Sequence, residues 1–188
     1  MPFRSAWIWI LVMAVLAVGA FWPRYFAILA TADWRFHVHG LTAMAWMLLV
    51  ALQVRLVHTG KLATHRRLGT ASLVIAPLFL VGAMLVVQTQ GNGQGPIHRM
   101  FGPGLVAVDF IGVMLFAWLF ASALATRRQP QLHARYMVGT LFLLIGPIGA
   151  RLLAGLMPGF TIRSLEDIPR FGPALHVANG GFVVLLCA

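Results

Sequence analysis

The sequence predicts an all-α protein: a polytopic transmembrane bundle of about six helices, forming a single transmembrane domain over residues 1–188. Three observations carry this. Sixty percent of the residues are hydrophobic and only 10% are charged, whereas ordinary soluble domains carry about a quarter charged residues. Too few charges are present to cover a water-facing surface, and the hydrophobicity excludes a disordered chain. The charges also fall between apolar runs of about 20 residues, the length a helix needs to cross a bilayer. Finally, the 14 basic residues against four acids, a net charge of +10, are scattered singly or in pairs at the ends of those runs. They read as headgroup anchors and not as a nucleic-acid surface.

The runs place helices at about 5–22, 37–58, 67–88, 103–126, 133–156 and 172–188. The first follows a basic Met1–Arg4 segment and contains Val18-Gly19-Ala20, a passable cleavage signal. Its apolar run is longer than a signal-peptide core, so it reads as a retained helix. The second and third are separated by the basic loop Thr59–Arg67, and the fourth and fifth by Thr126–Gln131. The sixth is short and ends at Leu185-Leu186-Cys187-Ala188. Pro77 and Pro147 fall inside helices and should distort them. Placing the N-terminus in the cytoplasm gives that side eight basic residues and no acid, against six basic residues and all four acids opposite. The positive-inside rule therefore favours a cytoplasmic N-terminus. Partners are the lipid bilayer and other membrane subunits, with no nucleic acid. The lone Cys187 excludes an internal disulfide and a multi-thiolate metal site.

Histidines are the chemically informative residues. His37, His39, His98 and His176 fall on the extracytoplasmic side of this topology, and His58, His65 and His133 on the cytoplasmic side. The plain reading is that they anchor helix ends at the interface. Helical spacing argues for more. His39, Trp46 and Gln53 are seven residues apart and drift about 20° per step, so they form one stripe. A stripe with His and Gln should face the bundle interior, because its polar groups have no partner in hydrocarbon. His133, Thr140 and Arg151 share a face of the fifth helix by the same count, and His65 and Ser72 one of the third.

Asp109 is the one acid inside an apolar run, and intramembrane charges are functional candidates. It lies about 9 Å inside its helix, and Arg151 lies about 8 Å inside the next, antiparallel helix. A buried Asp109–Arg151 ion pair is the expectation, either as structural glue or as part of a proton or small-solute path. His37, His39, His98 and His176 could converge on the same side as ligands for copper, zinc or iron, all of which accept imidazole. A bis-histidine haem b needs two imidazoles at one depth from facing helices. His39 with His98 or His176 would supply one such pair, and His65 with His133 the other.

Three strings occur together: Phe36-His37-Val38-His39-Gly40 with Trp46 and Gln53; His65-Arg66-Arg67-Leu68-Gly69; and His133-Ala134-Arg135-Tyr136-Met137. As a set they resemble a group of uncharacterised bacterial polytopic inner-membrane proteins, over about residues 36–156. The resemblance implies a multi-pass protein of the bacterial inner membrane. The alternation of histidines is also similar in layout to cytochrome b561-like proteins, whose four central helices carry haem-ligating histidines. On that likeness His39, His65 and His133 match in position, while His98 precedes its apolar run. The leading functional expectation is histidine-based metal or haem binding through His39, His65, His133 and His176, serving electron transfer or assembly of a respiratory-type complex. The rivals are a non-catalytic accessory or scaffold subunit, and a transporter using Asp109 and Arg151.

Overall fold

The computed structural model describes residues 5–94, 96–157, 160, 165–170, 172–173 and 177. Among these the chain is all-α. Its helices are α1 (Ala6–Phe21), α2 (Trp34–His58), α3 (Leu62–Gly69), α4 (Ser72–Gly91), α5 (Pro96–Ala125), α6 (Pro130–Phe142) and α7 (Ile145–Leu156). Short 3₁₀ turns cover Phe26–Ile28 and Leu165–Arg170. Four stretches are long and apolar enough to cross a membrane: Trp34–His58, Ser72–Gly91, His98–Ala125 and Pro130–Leu156. At 16 residues α1 is shorter, spanning about 24 Å against a hydrocarbon core of about 30 Å. Large apolar side chains cover the outside of the bundle, including Trp9, Val15, Leu41, Val74, Ile111 and Trp118. A water-soluble protein does not expose such a continuous apolar surface; a membrane protein presents it to acyl chains.

Local chemistry sets the helix ends. Asp33 caps α2 by accepting from the Arg35 backbone N–H at 2.9 Å, and its other oxygen takes the Arg35 guanidinium at 3.1 Å. Gly60, at φ 73°, makes the left-handed turn that releases the chain from α2 into α3. Prolines open α5 and α6, where a missing N–H costs nothing.

Three boundaries differ from those the sequence predicts. The expected helix at 67–88 starts later, because Thr70 and Ala71 separate α3 from α4. The Thr70 hydroxyl donates to the Arg67 carbonyl at 2.7 Å and the Ser72 hydroxyl to the Gly69 carbonyl at 2.6 Å. His65 and Ser72 therefore share no continuous helix face. The fifth expected helix breaks at Leu143–Leu144, where Pro147 has no N–H to give the Leu143 carbonyl. Thr140 and Arg151 thus sit on different segments. The fourth helix begins at Pro96, seven residues before Pro103, so His98 lies within its first turn and not ahead of it. The expected helix at 172–188 lies almost entirely outside the described residues, as do His176 and Cys187.

The helices close into a ring. α1 packs on α2 and α7, α2 on α4, α4 on α5, and α5 on α6, with α2 also touching α6. Inside the ring lie Trp46, Ala76, Phe79, Phe116, Phe120 and Thr140. The predicted inward stripe of α2 is observed, with Trp46 fully buried and Gln53 buried one stripe position below it. Trp46 meets Phe116 and Phe120 edge-on, at centroid distances of 5.2 and 5.5 Å, and Phe79 meets Phe116 at 4.7 Å. Since lipid is as apolar as leucine, this interlocking, and not escape from water, holds the helices together.

Candidate functional site

Two polar tiers lie at opposite ends of the aromatic core. The first is built by α2, α3 and α6. The turn at Gly60 folds α3 back so that His65 faces α6, and the ring centroids of His65 and His133 stand 6.5 Å apart with their planes at 85°. One of the two facing pairs expected from the sequence is therefore present. His133 Nδ1 donates to the Ala123 backbone carbonyl on α5 at 2.8 Å. That bond fixes the tautomer with hydrogen on Nδ1 and leaves Nε2 with its lone pair, the arrangement that orients a ligand imidazole.

Gln53 is the member of this tier that residue spacing placed inward without assigning it to a site. Neither its side-chain nitrogen nor its oxygen has a hydrogen-bond partner, although both are buried. Gly69 packs beside the amide: a β-carbon there would stand 3.5 Å from Gln53 Nε2, an ordinary contact. His65 Nδ1 is also buried without a partner, while the Gln53 backbone carbonyl faces the His65 ring. Buried polar groups are nearly always satisfied, and those that are not mark a strained site or one that takes water or an ion. Burial holds the His65 pKa below its ordinary value, helped by the neighbouring His133. The imidazole is accordingly neutral and able to ligate. Around this end the sequence places Arg55, Lys61, Arg66, Arg67, Arg127, Arg128 and Arg135 and no acid.

The second tier gathers residues from α2, α4, α5 and α7. His39 stacks on Phe79 at 5.3 Å, and its Nδ1 is buried without a partner. Gly82 brings α4 against it so closely that a β-carbon there would lie 2.9 Å from His39 Cα. His37 points elsewhere: the Tyr25 hydroxyl and His37 Nδ1 share a hydrogen bond of 3.0 Å. His98 packs against Gly93 in the α4–α5 connection. Among the described residues no three His, Cys, Asp or Glu side chains are grouped as metal ligands. His37, His39 and His98 thus do not form the expected convergent set, because each is held by a different neighbour. His176, the fourth, lies outside the described residues.

The expected Asp109–Arg151 ion pair is not formed. Asp109 accepts a hydrogen bond from Gln90 Nε2 on α4 at 2.7 Å. Arg151 donates from Nη1 to the Pro147 carbonyl at 2.9 Å and lies with its guanidinium carbon 4.3 Å above the Phe21 ring of α1. The break at Leu143–Leu144 redirects α7 toward α1, so equal depth no longer means contact. The two charges still act on each other at longer range. Gln90 lies just past the apolar run 67–88, and nothing in the sequence signals that it would reach Asp109. Comparisons with family models, with curated proteins and with solved structures find no match to this chain.

Proposed function

We propose that this chain is a multi-pass electron carrier of the bacterial inner membrane, N-terminus in the cytoplasm, that holds haem b between His65 and His133. The observation that supports this best is the facing pair itself, with His133 Nδ1 engaged by the Ala123 carbonyl. With their ring centroids 6.5 Å apart, His65 and His133 are the residues that would hold such a group. Charge points the same way. A bare dication between two neutral imidazoles would need a nearby carboxylate or thiolate, whereas haem carries its own carboxylates, which the surrounding arginines suit. When bound, the group supplies one-electron chemistry. The protein's part is to keep the His65 imidazole neutral, hold His133 in one tautomer and present Gln53 as a polar neighbour.

Gln53 favours one second reading, in which its amide oxygen joins His65 and His133 around a single copper, zinc or iron ion. Purification of the full chain from haem-replete cells in mild detergent distinguishes the readings. The absorption spectrum should show a Soret band and iron analysis about one haem per chain, both lost in His65→Ala and His133→Ala variants that retain the wild-type melting profile. A colourless protein with one bound metal ion supports the second reading. A colourless, metal-free protein that haem fails to stabilise overturns both and leaves the accessory-subunit role.

A further inference from the structure

Arg151 sits between α7 and α1 above the ring of Phe21, the last residue of α1. The helical turn continues past that end, because the Tyr25 N–H donates to the Phe21 carbonyl at 2.9 Å. Arg24 is therefore three residues beyond Phe21 in the same helical turn, at the end of α1 that Arg151 covers. Asp109, the acid whose charge opposes that of Arg151, is not in contact with it and is held by Gln90. Among the described residues the ion pairs are Arg35–Asp33 and Arg170–Asp167, so neither Arg24 nor Arg151 has a carboxylate in contact. Arg151 uses one donor on Pro147, and a guanidinium has five.

Two cations at the meeting of α1 and α7 with no carboxylate in contact, one of them inside an apolar span, are favoured around an anion. The guanidinium fork matches tetrahedral oxyanions and binds them bidentately. Flanking Arg24 in sequence, Trp22 stacks on Phe26 at 5.9 Å and Tyr25 meets Phe26 edge-on at 5.0 Å, an aromatic group of the kind found at headgroup level. We propose that Arg24 and Arg151 together bind a phosphate-type oxyanion where the end of α1 meets α7, from a lipid phosphodiester or from free phosphate. This site is independent of the histidine tier, and neither stands or falls with the other.

The test uses the full chain, stripped of lipid in detergent, with phosphatidylglycerol, phosphatidylcholine or inorganic phosphate added separately. Retained lipid is counted by native mass spectrometry and the melting midpoint is followed. Phosphatidylglycerol should bind and raise the midpoint, with its affinity weakened about tenfold by Arg24→Gln, a loss of one charge-assisted contact. Arg24 is exposed, so this variant should fold. Arg151→Lys keeps the charge but loses the fork and should also weaken binding, whereas Arg35→Gln should not. Equal stabilisation by inorganic phosphate assigns the site to free oxyanion. Unchanged binding in both Arg24→Gln and Arg151→Lys, or phosphatidylcholine matching phosphatidylglycerol while phosphate does nothing, overturns the proposal.

Discussion

The Trp46 indole N–H donates to the Thr140 hydroxyl at 3.0 Å, and that hydroxyl donates in turn to the Met137 carbonyl at 2.6 Å. Both side chains are fully buried, 94 residues apart in sequence. This relay joins α2 to α6 across the ring, about two helical turns from the tier of His65 and His133. Thr140→Val keeps the shape but leaves the indole N–H without an acceptor in an apolar core. The expected loss is about 1–2 kcal/mol, near the upper range for interhelical hydrogen bonds in membranes. A double-mutant cycle with Trp46→Phe, read by denaturant unfolding in detergent, should show the two effects to be non-additive. Strict additivity would mean that the bond contributes nothing.

Gly82 sets the distance between α2 and α4. A β-carbon there would press on the His39 backbone at 2.9–3.0 Å, with no flexible side-chain end to move away. Gly82→Ala should destabilise by roughly 1–3 kcal/mol, the usual cost of overpacking, and disturb the stack of His39 on Phe79. Gly112→Ala, which meets nothing within 4 Å, should be neutral or slightly stabilising. Melting curves of the two variants side by side check this, and equal midpoints would refute it.

The elements legible in the sequence were those governed by periodicity. The charge-free runs gave the spans, and the seven-residue spacing of His39, Trp46 and Gln53 gave the inward face, because lipid tolerates no unpaired amide. The facing of His65 and His133 followed from helix alternation. What escaped was set by backbone breaks. The step at Thr70–Ala71 turns His65 off the α4 axis, and the step before Pro147 sends Arg151 toward Phe21 and away from Asp109. The partners of His37 and Asp109, Tyr25 and Gln90, depend on which helices are neighbours, which composition and spacing do not specify.

Acid should weaken the His65 tier. Burial, then His133, with a further push from Arg66, holds the His65 pKa below 6.5, against a smaller opposing pull from the Gln53 backbone carbonyl. The unfolded chain therefore takes up this proton at a higher pH than the folded one. The stability tied to a neutral His65 is present above about pH 6.5 and is lost progressively as the pH falls below it. The melting midpoint of the wild type should drop between pH 7 and pH 5, and His65→Gln should flatten that drop. An identical pH profile in the variant would show that His65 is not the responsible group.

Asp109 and Gln90 separate a structural from a transport role for the intramembrane acid. Asp109→Asn keeps an acceptor for the Gln90 amide at nearly the same place, so the fold should lose little. Gln90→Leu instead removes the hydrogen bond of 2.7 Å that this part-buried carboxyl accepts, and should cost roughly 1–3 kcal/mol. The larger destabilisation should therefore come from the uncharged position. If Asp109 serves only to tie α5 to α4, liposomes containing the Asp109→Asn protein will show the same proton flux as those containing the wild type. A wild-type flux that Asp109→Asn abolishes while the melting midpoint is unchanged would instead make the carboxylate part of a conducting path, with Arg151 as the charge that biases its occupancy at longer range.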